Sequence, residues 1–179
     1  MRLAAALFAA SLLSAPALAQ DWTLDKAASS VAFEARVFGA AMPGSFEDFD
    51  AQITLDPADL STARIDATVM TASVDTSSQY RGSLVSTDGL APETHPQARF
   101  VSDSITATET GYEAVGELTI KGASLPVTLP FTLVIEGDRA TAQSELTVSR
   151  SDFGVGGSGW GDVGETVIIR LNIVAEEAG

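Results

Sequence analysis

From Ser30 onward, apolar and polar residues alternate with a period of two along most of this chain, and no stretch sustains a helical period. Alternation sends successive side chains to opposite faces of a strand, so the chain must form sheet with one apolar face and bury that face. Val31, Phe33, Ala35 and Val37 make the first run, and Phe49, Ala51, Ile53 and Leu55 the second. Ala63, Ile65, Ala67 and Val69 follow, then a weaker run from Ala98 to Ile105. Tyr112 to Ile120, Leu125 to Ile135, Ala140 to Val148 and Val167 to Ile173 complete eight expected strands. Turns are signalled at Pro43-Gly44, Asp56-Pro57, Glu109-Thr110-Gly111, Lys121-Gly122 and Glu136-Gly137-Asp138. The fold class is all-β, and alternation alone admits a closed barrel or a two-sheet sandwich.

Two stretches break the pattern. Asp75 to Gln97 is too long for a hairpin turn, and Ser77 to Val85 within it predicts one or two helical turns interrupted at Gly82. Pro126 and Pro130 fall on the outer face of the sixth run, where proline removes a ladder hydrogen bond. Either that strand pairs poorly near its start or the sheet is not fully closed there.

The N-terminus has the layout of a cleaved signal peptide. Arg2 supplies the positive end, Leu3 to Leu13 is apolar except for Ser11, and Ala17-Leu18-Ala19 is a small-x-small cleavage site. The run falls short of the roughly 20 apolar residues that span a bilayer. Residues 1–19 are therefore assigned to the signal and residues 20–179 to one mature domain in the periplasm. The chain has no cysteine, which excludes a lipoprotein anchor, disulfides and thiolate metal sites. Its formal charge is −14, and the leader carries only Arg2, so the mature domain is more acidic still. That charge argues against nucleic acid and against anionic lipid surfaces, which need a basic stripe. Two Trp and two Tyr cannot build the aromatic girdles of a membrane barrel, so no stable membrane insertion is expected.

Patterns for catalysis are missing. His95 is the only histidine and has no second histidine or cysteine with which to share a metal. No serine sits in a nucleophile elbow, and the glycines from Gly154 to Gly164 lack a phosphate-loop lysine. The expectation is a non-enzymatic protein with no cofactor and no metal.

Five short segments stand in a telling order: Trp22-Thr23-Leu24-Asp25, Ser30-Val31-Ala32-Phe33, Gly44-Ser45-Phe46, Gly116-Glu117-Leu118-Thr119-Ile120-Lys121-Gly122 and Arg150-Ser151-Asp152-Phe153-Gly154-Val155-Gly156. From about Asp21 to Ala175 the chain resembles the YceI-like family of secreted bacterial proteins. The resemblance implies an eight-stranded antiparallel lipocalin-like β-barrel, with one short helical insertion, that holds a long isoprenoid or other aliphatic lipid. Against the family pattern, Lys121 stands where histidine is frequent, Gly82 where an acid is common and Gly89 where an aromatic is common.

The expected inward face agrees with a cavity. Phe33, Phe49, Phe100 and Phe131 supply bulk, whereas Ala51, Ala63, Ala67, Ala114, Gly116, Ala140 and Ala142 supply almost none. Eight strands are near the size at which side chains just fill a barrel or leave room for one ligand. Candidate lumen residues are Phe33, Phe49, Val69, Phe100, Ala114, Leu118, Phe131, Leu146, Arg150, Phe153, Val167 and Ile169. Arg150 continues the phase of Leu146 and Val148, so it is expected to point inward and pair with Asp152 or Asp25, either as a structural bridge or as a donor to a lipid headgroup. Phe153 and Trp160 are candidate lids. The expected partner is an apolar lipid such as a polyisoprenoid, a quinone tail or a fatty amide or acid. The competing function is an accessory or stress-response protein whose acidic surface docks on a basic membrane redox partner. Monomer and homodimer are both compatible with the sequence.

Overall fold

Eleven strand segments join in one antiparallel sheet in the computed structural model of the protein, which describes residues 20–179. They are β1 (Asp21–Leu24), β2 (Ser30–Val37), β3 (Ala40–Phe46), β4 (Phe49–Asp56), β5 (Asp59–Met70), β6 (Val74–Thr76), β7 (Gln97–Ala107), β8 (Tyr112–Ile120), β9 (Ala123–Glu136), β10 (Arg139–Ser149) and β11 (Thr166–Glu177). Pairing runs β1-β4-β5-β7-β8-β9-β10-β11 and returns from β11 to β1, which closes a barrel of eight staves. The other three segments prolong staves already in the ring. β2 continues β1 along β11, β3 runs ahead of β4 along β2, and β6 continues β5 along β3. The signal peptide expected over residues 1–19 lies outside the described residues.

Burial follows the alternation. Val31, Phe33, Ala35 and Val37 are buried along β2, and Ala114, Gly116 and Leu118 along β8. The β8–β9 turn is the two-residue loop Lys121-Gly122, with φ of 51° and 78°, the pairing of positive angles that suits the twist of a tight hairpin. The one α-helix among the described residues, α1 (Ser78–Leu84), packs beside β6 and runs through Gly82 without interruption. Leu84 enters a second core cluster with Phe33, Ala35, Val37, Met42 and Val74, and this tertiary burial outweighs the modest helix penalty of glycine.

The prolines resolve into geometry. β9 pairs with β10 only from Phe131 to Glu136, against Ser144 to Arg139. Pro126 and Pro130 lie opposite Glu117 and Glu113 of β8. In the phase set by the tight hairpin, those two positions point their nitrogens away from β8, toward the edge that β10 leaves uncovered. No ladder bond is lost. The Pro43-Gly44 turn, by contrast, is a correction: both residues lie inside β3, and the turn falls at Phe38-Gly39. The Pro43 carbonyl accepts Thr76 Oγ1 at 2.8 Å, so its nitrogen faces the same side, just beyond the end of β6, where no partner needs an N–H.

Candidate ligand-binding site

Inside the barrel lies a cavity of about 230 Å³. Its floor is set by β1, which is too short to show a period in the sequence. Trp22 is buried there and donates Nε1–H to the Leu55 carbonyl at 2.9 Å, which closes that end beside Ala140 and Ala175. Its walls carry Phe33, Phe49, Val69, Phe100, Leu118, Phe131, Leu146 and Ile169, eight of the twelve residues expected from the sequence. Ala51, Ala67, Ala98, Ala140 and Ala142 leave the wall bare between them. Leu24, Phe46, Leu90 and Ile173 also line the cavity. Leu24 and Phe46 belong to short or irregular segments, and Leu90 to a loop, so periodicity could not find these three.

The other four expected residues lie elsewhere. Ala114 is fully buried in the main core but does not reach the cavity. Gly116 is small for a different reason from the lumen: a Cβ there would stand 2.1 Å from the Val101 carbonyl oxygen of β7. Val167 packs on the second core cluster, and Phe153 is buried in the main core from a 3₁₀ turn, Arg150–Phe153.

The Arg150 side chain is largely covered, 11% exposed, but its partner is Glu165 at 3.0 Å rather than the expected Asp152 or Asp25. Its strand ends at Ser149, so the alternating phase stops before it. The guanidinium donates to the carbonyls of Gly164 (3.1 Å), Val155 (2.9 Å) and Val163 (3.0 Å) and lies 5.7 Å from the Trp160 ring centroid. It thus ties together the loop that roofs the barrel. Gly156, at φ 110°, makes room for it, since a Cβ would meet Arg150 Nη1 at 2.1 Å. Lys121 fastens the roof from the opposite side, donating Nζ–H to the Asp88 carbonyl (3.0 Å) and the Gly154 carbonyl (2.8 Å).

Polar groups at the lumen are spoken for. Ser144 Oγ donates to the Pro130 carbonyl at 2.6 Å, and Thr71 Oγ1 to the His95 carbonyl at 2.7 Å. Among the described residues, no buried side-chain nitrogen or oxygen lacks a partner. No group of three or more His, Asp or Glu among them could hold a metal ion. One carboxyl on the outer wall is shifted: hydrogen bonds from Arg99 to both Asp66 oxygens hold it below the usual carboxylate range. A wider groove of about 540 Å³ crosses the exterior over β9, β10 and β11, but Glu113, Gln143, Glu145 and Arg170 line it, a poor match for hydrocarbon.

Comparison with known proteins agrees with this architecture. Residues 22–175 match the YceI-like domain. A UPF0312 protein of Serratia proteamaculans is 36% identical over 157 residues, 82% of each chain. The crystal structure of Burkholderia cenocepacia BcnA superposes with a TM-score of 0.80 at 33% identity, covering 84% of this chain and 98% of that one. A polyisoprenoid binding domain from Saccharophagus degradans, implicated in plant cell wall breakdown, shares the fold with a TM-score of 0.67 at 13% identity, covering 90% and 100% of the two chains. No helix among the described residues is long and apolar enough to cross a membrane. With its family domain matched almost end to end, and its barrel shared with solved relatives, this chain belongs to the YceI-like family.

Proposed function

We propose that the protein is exported to the periplasm and there binds one long apolar lipid, isoprenoid in character, inside the barrel. The supporting observation is the lumen: an interior space with an alanine-studded aliphatic and aromatic wall, in which every buried polar side-chain atom is already bonded. Such a space asks for hydrocarbon, and each CH₂ buried in it contributes about 0.8 kcal/mol. The polyisoprenoid binding of the Saccharophagus domain, built on the same fold, supports an isoprenoid chain over an unspecified apolar guest. The reading is of a binding protein, and no reaction is assigned to it. The decisive experiment is native mass spectrometry of protein purified without detergent, followed by titration of the delipidated protein with a neutral prenyl alcohol. The expected result is a co-purifying lipid or saturable one-to-one uptake. A protein that carries no lipid and takes up no prenyl chain would overturn the reading and leave docking on a basic partner as the better account.

A further inference from the structure

A chain that enters this lumen must leave its polar end somewhere, and the interior offers no free hydrogen-bonding side chain to receive it. The two ends of the barrel are also shut. The floor is closed by Trp22 and its bond to Leu55. The roof is closed by Arg150, by Lys121, and by backbone bonds from Gly156 N–H to the Asp88 carbonyl (2.6 Å) and Thr71 N–H to the Pro96 carbonyl (2.9 Å).

The side wall has a gap. β1 pairs with β4 through Thr23 and Gln52, and β2 pairs with β3 from Val31 and Phe46 onward. Between those ladders, Leu24 to Ser30 face Glu47 to Ala51 without pairing to them. Each edge turns instead to its outer neighbour. Asp25 N–H donates to the Val174 carbonyl at 2.8 Å, and Asn172 Nδ2 to the Ala28 carbonyl at 3.3 Å. On the other edge, Asp48 N–H donates to Ser73 Oγ at 3.1 Å and its carbonyl accepts Met70 N–H at 2.9 Å. Leu24, Val31, Phe46 and Phe49 border the gap, and all four line the cavity. Among the described residues, one polar contact spans it: Lys26 Nζ to Asp50 Oδ2 at 3.2 Å, both side chains more than half exposed. Asp50 is held for this role by its other oxygen, which accepts Ala51 N–H at 2.8 Å.

We propose that this gap between the β1–β2 and β3–β4 junctions is the mouth of the lumen, with the Lys26–Asp50 ion pair as its latch. The ligand slides in sideways past Leu24, Val31, Phe46 and Phe49, and its polar end stays at the rim beside Lys26 and Asp50. An exposed ion pair is weak enough to open at ambient temperature, unlike the multiple backbone bonds of the roof. The proposal rests on the lumen being the binding site, and the experiment separates the two.

The chain has no native cysteine, so the double variant Lys26→Cys with Asp50→Cys is a clean place for a short thiol-reactive bis-maleimide linker. The probe is a neutral fluorescent prenyl alcohol analogue. Linking the empty protein is expected to slow uptake at least tenfold, and linking the loaded protein to slow release equally. Lys26→Ala, which removes the latch without a linker, is expected to speed both uptake and release about two- to fivefold, the scale of an exposed ion pair. A linked protein that takes up probe at the unlinked rate, or Lys26→Ala rates equal to those of the native protein, would overturn the mouth while the uptake itself upholds the lumen. If the native protein takes up no probe, the lumen reading falls and the mouth with it.

Discussion

Arg150 shows how one side chain replaces a great deal of regular structure. Four of its donors end on loop oxygens, three of them backbone carbonyls outside the strands. Because Glu165 is largely exposed, loss of Arg150 leaves unpaired carbonyls rather than a stranded buried charge. Arg150→Met is therefore expected to cost about 2–3 kcal/mol, the range of charged hydrogen bonds. Arg150→Lys should recover little, because a lysine cannot reproduce the planar fork. Thermal melts of delipidated and lipid-loaded protein should show equal losses; a loss confined to the loaded form would assign Arg150 to the ligand instead. Asp66 offers a second test at this scale. Its folded carboxyl is held below the ordinary range by Arg99, so the pair contributes stability above the unfolded carboxyl's range near pH 4 and loses it as pH falls through the lowered value. The stability gap between native protein and Asp66→Asn should accordingly be constant from pH 7 to 5 and shrink progressively in melts as pH falls below about 4. What the sequence could show of these residues was limited. Strand phase stops at Ser149, and the partners of Arg150 depend on a loop whose shape no periodicity encodes.

At the scale of elements, alternation exposed the long strands because burial on one face imposes it residue by residue. It failed at β1 and β6, which are too short for a period, and at β3, where Pro43 and Gly44 imitate a turn yet serve a strand edge. The signature segments around Lys121 and Arg150 were legible as motifs, but not as what they are in space, fasteners of the roof. β7 illustrates a further hidden demand. Its register slips between Ser102 and Ser104, and the buried Ser102 Oγ accepts Ile65 N–H from β5 at 2.8 Å. Gly116 of β8 lies against the same irregularity. Gly116→Ala should cost about 1–3 kcal/mol through overpacking against backbone that cannot yield. Ser102→Ala should cost about 1–3 kcal/mol by leaving the Ile65 amide unpaired. Urea unfolding of the two variants, with unchanged m-values, would check both.

For the whole molecule, a barrel with a bare-walled interior trades core packing for capacity. Ala67→Leu together with Ala142→Leu places bulk on two lining positions. The delipidated double variant should melt at or above the native temperature, since it fills space that otherwise costs roughly 24 cal/mol per Å³. It should also lose the upward shift that saturating prenyl alcohol gives the native protein. Calorimetry with and without the alcohol measures both; a retained shift would place the ligand outside the lumen. Eight staves, an inward apolar face and an insertion with a short helix were all legible beforehand. The broken side wall was not, because a missing ladder leaves no mark on composition or period.

The protein's two tryptophans stand at opposite ends of this barrel. Trp22 faces the floor of the cavity with its ring N–H engaged, while Trp160 lies beneath the Arg150 guanidinium in the roof. The molecule therefore carries its own pair of optical reporters. Emission from Trp22 should track how far a guest chain reaches into the interior, and emission from Trp160, perturbed by the nearby cation, should track whether the cover stays seated. Replacing either ring with phenylalanine would isolate the other signal, so that filling and lid motion could be followed separately in real time without an attached dye.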